Sequence, residues 1–151
     1  METKEEIKEE TKKAFVAPKE KPVSIFLVDD DLSYLYPLGF YLQKNTEHMV
    51  FCYSTGEECV KNLDKLPDLV VLDFNLNPEL PNTLNGLDVL KQIKATSPGT
   101  KIVMLSGRDT FTGVVESLKL GAYTYVIKDI EALTTLKKII DTFTEKKSKP
   151  G

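Results

Sequence analysis

The chain has one histidine and two cysteines in 151 residues. A single histidine, His48, excludes a His-rich metal site. No ATP-binding motif accompanies it, so a histidine-relay kinase core is excluded as well. His48 falls in an apparent strand, which assigns it a structural or surface role rather than that of ligand or base. Cys52 and Cys59 form no C-x-x-C pair, and in a chain of this kind they read as reduced and buried. No apolar run approaches the ~20 residues that span a bilayer. The N-terminus is charged from Glu2 onward with no apolar leader, which makes the cytoplasm the expected compartment. There is no G-x-G-x-x-G and no G-x-x-x-x-G-K-S/T, so the first turn is not a glycine-rich phosphate cradle.

An excess of positive charge is missing too. The net charge is −3, unevenly spread: residues 1–22 hold six Lys and six Glu, and residues 144–151 hold three Lys and one Glu. That leaves 11 basic and 16 acidic residues in 23–143. An acidic core argues against direct nucleic-acid binding, which needs a basic surface. The Glu/Lys stretch at 1–22 ends in Pro18 and Pro22 and reads as a charged tail and linker. Residues 23–143 form one domain, and 144–151 a C-terminal tail.

Within that domain strands and helices alternate. Apolar runs predict strands at 23–28, 49–53 (an edge), 69–72, 102–105 and 122–127. Helical spacing predicts helices at 33–44, 56–66, 87–95 and 112–120, the last closed by Gly121. A final helix carries Leu133, Leu136, Ile139, Ile140 and Phe143 on one face. Pro37 is placed in or near the first turn of the first helix, where backbone N–H groups lack partners. Alternation of this kind gives a parallel sheet covered on both faces, with ligands at the carboxyl ends of the strands.

Those ends carry the chemistry. The first strand runs into Asp29, Asp30 and Asp31, the third into Asp73, the fourth into Ser106 and the fifth into Lys128. Adjacent carboxylates repel and resist desolvation, and a hard divalent cation with oxygen ligands offsets both costs. Each residue alone has an ordinary reading: Asp31 as a helix N-cap, Asp73 as a turn cap, Lys128 as a surface lysine, Ser106 as a turn residue and Tyr125 as core. Together, at one sheet edge, they make a site for a metal and a phosphoryl group.

The motifs FLVDDD (26–31), PDLVVLDFNL (67–76), VMLSG (103–107) and GAYTYVIK (121–128), in that order, resemble the receiver domain of two-component response regulators. The resemblance covers residues 23–143. It implies a flavodoxin-like α/β/α fold with strand order 2-1-3-4-5. It implies Asp73 as phosphoacceptor; Asp29, Asp30, Asp73 and the backbone carbonyl of Asn75 as Mg²⁺ ligands; and Lys128 and Ser106 as groups acting on the phosphoryl oxygens. Ser106 and Tyr125 would form the switch, with Asn75 and Arg108 governing water access. A sensor histidine kinase or phosphotransfer protein would donate the phosphoryl group. A downstream protein effector, or a second copy of the chain, would read the face of the fourth helix, fifth strand and fifth helix. Such a domain catalyses only its own phosphorylation and dephosphorylation.

Three departures stand out. Asp129 follows Lys128 where the family usually has proline, often after a cis bond. The stretch NLNPELPNTLNG (75–86) is longer than the usual loop, and Gly107 stands where alanine is common. Two rival readings remain: a Mg²⁺-dependent aspartyl phosphatase, disfavoured by Asn75 where a second acid is needed, and a degenerate receiver that only binds protein. Eight residues follow Phe143, too few for a DNA-binding helical module, which fits either a stand-alone regulator or a piece of a longer protein.

Overall fold

Five short strands form: β1 (Ser24–Val28), β2 (Met49–Tyr53), β3 (Leu69–Asp73), β4 (Lys101–Ser106) and β5 (Thr124–Ile127). The helices are α1 (Leu32–Asn45), α2 (Gly56–Lys61), α3 (Gly86–Thr96), α4 (Phe111–Lys119) and α5 (Ala132–Ser148). The computed structural model describes residues 21–76, 79–107 and 111–148. Residues 1–20 of the tail expected at 1–22, loop residues Asn77 and Pro78, and Arg108 lie outside the described residues. All strand pairs are parallel, in the order β2-β1-β3-β4-β5. The expected flavodoxin-like fold is therefore the fold found.

Successive side chains of a strand face opposite sides of the sheet, so each strand feeds two cores. Ile25, Leu27, Leu69, Val71, Val103, Leu105 and Val126 pack against Leu35, Leu38 and Leu42 of α1 and Leu136 and Ile140 of α5. On the other face Phe26, Val28, Val70, Leu72, Ile102 and Met104 pack against Cys59 of α2 and Val89, Leu90 and Ile93 of α3. Every residue of β3 is buried. That explains its unbroken apolar run, since a central parallel strand has no solvent face.

Caps fix where the helices begin and end. The Asp31 carboxylate accepts the Ser33 N–H at 3.0 Å and starts α1. Asn85 and Asp88 form a reciprocal capping box at the start of α3, at 2.9 and 3.2 Å. Gly121, at φ +102°, ends α4: its N–H donates to Leu118 and that of Ala122 to Ser117, the Schellman pattern.

Several details differ from the sequence expectations. Pro37 lies in the second turn of α1 because Asp31 starts the helix early, so the amide that would serve Ser33's carbonyl is missing inside the helix. His48 precedes β2, and its Nδ1 accepts the Val23 N–H at 3.1 Å, a structural role. α2 stops at Lys61; a 3₁₀ turn (Leu63–Lys65) follows, and Leu66 turns left-handed at φ 51° before Pro67. Helical geometry is disfavoured before proline. β5 begins at Thr124, and α5 continues through Ser148 into the stretch expected to be a tail. Thr144, buried there, donates its hydroxyl to the Ile140 and Asp141 carbonyls. Both cysteines are free; Cys59 is buried and Cys52 only half-buried. Burial pushes the Cys59 thiol up to about 12.

Candidate functional site

The backbone ladder extends one residue past three strands, and this fixes the site. Asp29 N–H donates to Tyr53, Phe74 N–H to Leu105, and Lys128 N–H to Ser106, at 3.1, 2.8 and 2.7 Å. Asp29, Phe74 and Lys128 therefore sit on the sheet rather than on free loops. Asp73 and Ser106 are themselves the last residues of β3 and β4.

The three predicted acids converge. Asp29, Asp30 and Asp73 each offer an oxygen, all within 4.8 Å of one another; Asp29 and Asp73 are buried and Asp30 is exposed. Lys128 Nζ lies 2.7 Å from Asp29 Oδ2 and 3.6 Å from Asp73 Oδ2. Apart from this ammonium, Asp29 Oδ2 meets no hydrogen-bond donor among the described residues. Asp29 Oδ1 accepts the Asp31 N–H at 2.9 Å, while the Asp31 side chain turns away to cap α1. Asp31 is thus the cap expected and stands outside the acidic cluster.

Charge is out of balance in this pocket. Burial, and then the negative charge of Asp29, push the Asp73 carboxyl up to about 7; Lys128 and the Asn75 N–H only partly offset them. Burial lowers the Lys128 pKa, but its bond to Asp29 and the charge of Asp73 outweigh that and hold it above the ordinary value. Converging hard carboxylates with one ammonium between them fit a divalent cation of the Mg²⁺ type. The buried Asp29 oxygen with spare lone pairs fits it as well.

Asn75 tightens the site from the following loop. Its N–H donates to Asp73 Oδ1 at 3.1 Å, and its Nδ2 to Ser106 Oγ at 3.3 Å. Ser106 is fully buried, on the same sheet face as half-buried Tyr125, since Met104 pairs with Tyr125 and Ser106 with Ile127. The predicted switch pair therefore shares a face. The Lys128–Asp129 peptide is trans, and the Asp129 N–H donates to the Ile127 carbonyl at 2.8 Å, a bond proline could not make. The Asp129 carboxylate accepts the Glu131 N–H at 2.9 Å ahead of α5.

Three residues matter here that sequence reasoning passed over. A Cβ on Gly86 would stand 2.5 Å from the Asp73 carbonyl oxygen and 2.6 Å from that of Phe74, so only glycine lets α3 start against the end of β3. Glu57 of α2 accepts the Leu84 N–H at 2.7 Å and anchors the long loop. The Tyr34 ring lies 4.6 Å from Lys128 Nζ. The extended loop followed by a capping box was a signal for Gly86; Glu57 and Tyr34 had none.

Comparison with known proteins shows the family and the fold. The family model described as the response regulator receiver domain matches residues 25–141. The chemotaxis protein CheY of Listeria monocytogenes is 30% identical over 115 residues, covering 75% of this chain and 92% of the relative. The regulatory protein VanR of Enterococcus faecium is 34% identical over 118 residues, or 76% of this chain and 47% of VanR. The transcriptional regulatory protein ZraR of Salmonella typhimurium is 29% identical over 109 residues, 72% of this chain but 24% of ZraR. This chain therefore spans about a quarter of the length of ZraR. A CheY-like receiver domain from Methanospirillum hungatei superposes with a TM-score of 0.71 at 25% identity, over 85% of this chain and all (100%) of that one. The BeF3-activated DrrB receiver domain gives a TM-score of 0.71 at 27% identity, over 83% and 99% of the two chains.

Proposed function

The chain belongs to the response regulator receiver family, and from that premise we propose that it is a phospho-accepting switch with Asp73 as the acceptor. The observation that carries the proposal is the convergence of Asp29, Asp30 and Asp73 within 4.8 Å, with Lys128 between two of them. An Asp73 oxygen attacks the phosphorus of a phosphohistidine on a sensor kinase or phosphotransfer protein. A P–O bond forms, the P–N bond breaks, and the departing imidazole nitrogen takes up a proton. Asp29, Asp30, Asp73 and the Asn75 backbone carbonyl would hold Mg²⁺. That ion supplies charge neutralisation as two anionic groups approach.

The chain's own residues do the rest. Lys128 supplies a point charge for the phosphoryl oxygens. Ser106 donates its hydroxyl to the same group, drawing away from Asn75. Tyr125, on the same face, follows into the space Ser106 leaves. The surface of α4, β5 and α5 then changes population, and a protein effector or a second copy of the chain reads it. Water finally cleaves the acyl phosphate, returning the Asp73 carboxylate and inorganic phosphate. The chain processes only its own phosphoryl group: no second carboxylate stands at residue 75, where Asn75 is engaged with Ser106. Among the described residues no helix is long and apolar enough to cross a membrane, and the acidic core disfavours direct nucleic-acid contact. We place the domain in the cytoplasm.

Incubation with Mg²⁺ and acetyl phosphate, followed by intact-mass measurement, tests this. One phosphoryl adduct is expected, lost in Asp73→Asn and retained in Asp31→Asn. An unchanged mass across donor and Mg²⁺ concentrations counts against the acceptor role, and sustained turnover of p-nitrophenyl phosphate favours a phosphatase.

A further inference from the structure

We propose that Tyr34 positions Lys128: its ring face holds the ammonium beside Asp73. The proposal rests on the reading of Asp73 as phosphoacceptor. Alternation along β5 places Val126 on the α1/α5 face of the sheet, and Lys128 continues that parity. Tyr34, in the first turn of α1, packs half-buried against the same cluster. The two side chains meet there, with Nζ 4.6 Å from the ring centroid.

Three other lysines lie over aromatic rings, Lys44 on Phe40, Lys65 on Phe51 and Lys101 on Tyr123, at 5.7, 5.3 and 5.6 Å. All three ammonium-bearing residues are exposed, whereas Lys128 is half-buried. The attraction of a cation to a ring grows as water is removed, so the Tyr34 contact is the one with energetic weight. Asp29 and Asp73 hold the ammonium through their oxygens. The ring closes another side and keeps water from replacing them. A ring face also has no fixed acceptor direction. It lets Nζ slide from Asp29, now the nearer carboxylate, toward oxygens arriving on Asp73, so that only the bond to Asp29 is exchanged and the contact with the ring is kept. The hydroxyl is not the working part: it is buried and makes no hydrogen bond among the described residues.

The test uses the full chain with Tyr34→Leu and Tyr34→Phe, each with Lys128 intact and with Lys128→Ala. Two quantities are read: the rate of adduct formation from acetyl phosphate, and the thermal midpoint of the metal-free protein. Tyr34→Leu should slow the adduct about 3- to 30-fold, while Tyr34→Phe stays within about twofold. With Lys128→Ala, Tyr34→Leu should cause no further slowing and a smaller drop in midpoint than with the lysine present. Equal slowing by Phe and Leu would assign the role to the hydroxyl and overturn the proposal. Equal losses with and without Lys128 would reduce Tyr34 to packing and overturn it too. Should the unsubstituted chain form no adduct, the acceptor reading fails. The difference in midpoint loss between the two Lys128 backgrounds then still decides whether the ring holds the lysine.

Discussion

The two edges of the sheet are built on opposite rules. At the edge where strands begin, polar groups are matched by fixed partners. His48 Nδ1 accepts the Val23 N–H, and Asp68 accepts the Ser24 N–H at 2.9 Å. Buried Thr100 donates its hydroxyl to the Pro67 carbonyl and takes a bond from the Ser97 hydroxyl, both at 2.7 Å. At the edge where strands end, three carboxylates crowd one ammonium, and Asp73 is driven toward its neutral form. One edge spends its polar groups on holding the fold. The other gathers three carboxylates with one ammonium against two of them, which is the arrangement expected where an external cation and a phosphoryl group bind.

Substitutions should therefore separate the two edges. The largest effect is expected where the fold and the site share backbone. Gly86→Ala forces a Cβ onto the Asp73 and Phe74 carbonyls. It should lower stability by about 2–4 kcal/mol and reduce adduct yield as well; urea unfolding and intact mass report both. Asp73→Asn comes next, with the opposite sign. Asp73 has its folded pKa raised from 3.8 to about 7, so ionising it destabilises the metal-free protein. That penalty grows as pH rises through the interval between the two values and is complete above about 7. The substitution should stabilise the metal-free chain on the order of 1–3 kcal/mol at pH 8 and much less at pH 4, read from thermal midpoints across pH. Excess Mg²⁺ should shrink or reverse the difference, because it stabilises only the chain that binds it well.

At the quieter edge, Thr100→Val leaves the Pro67 carbonyl and the Ser97 hydroxyl without a buried partner. The expected loss is about 1–2 kcal/mol in urea, with acetyl phosphate reactivity unchanged under conditions where the protein stays folded. Impaired phosphorylation at full folding would contradict the separation drawn here.

The legible features were those written in local pattern. Apolar runs gave away strands buried on both faces, Asp31 and Gly121 marked helix ends, and each reactive group followed a strand that could be read by eye. Topology then carried Asp29, Asp73, Ser106 and Lys128 to one edge. What stayed hidden depends on how separate elements pack. Tyr34 looks like any tyrosine in a first helical turn until α1 is laid beside β5. Pro37 was misplaced because the helix was read from Ser33, whereas Leu32 already follows the Asp31 cap in helical geometry and sets the proline one place deeper. Asp129 could be seen to replace a proline, but the trans bond and its N–H to Ile127 belong to the folded turn.

Glu57 belongs to the same hidden class and supplies the smallest effect. Its carboxylate and the Leu84 N–H are 27 residues apart in sequence and meet at 2.7 Å. Leu84 packs against the core on the α2/α3 face, so this one bond ties the far end of the long loop to α2. Glu57→Ala removes an acceptor that nearby solvent can replace, and the cost should be about 1 kcal/mol or less. Hydrogen exchange can localise it. The Leu84 amide should lose protection, while Phe74, bonded to Leu105 within the sheet ladder, should keep its own. Equal loss at both amides would mean that the loop and the reactive edge open as one unit, and the long insertion would then be part of the site's scaffold rather than an attachment to it.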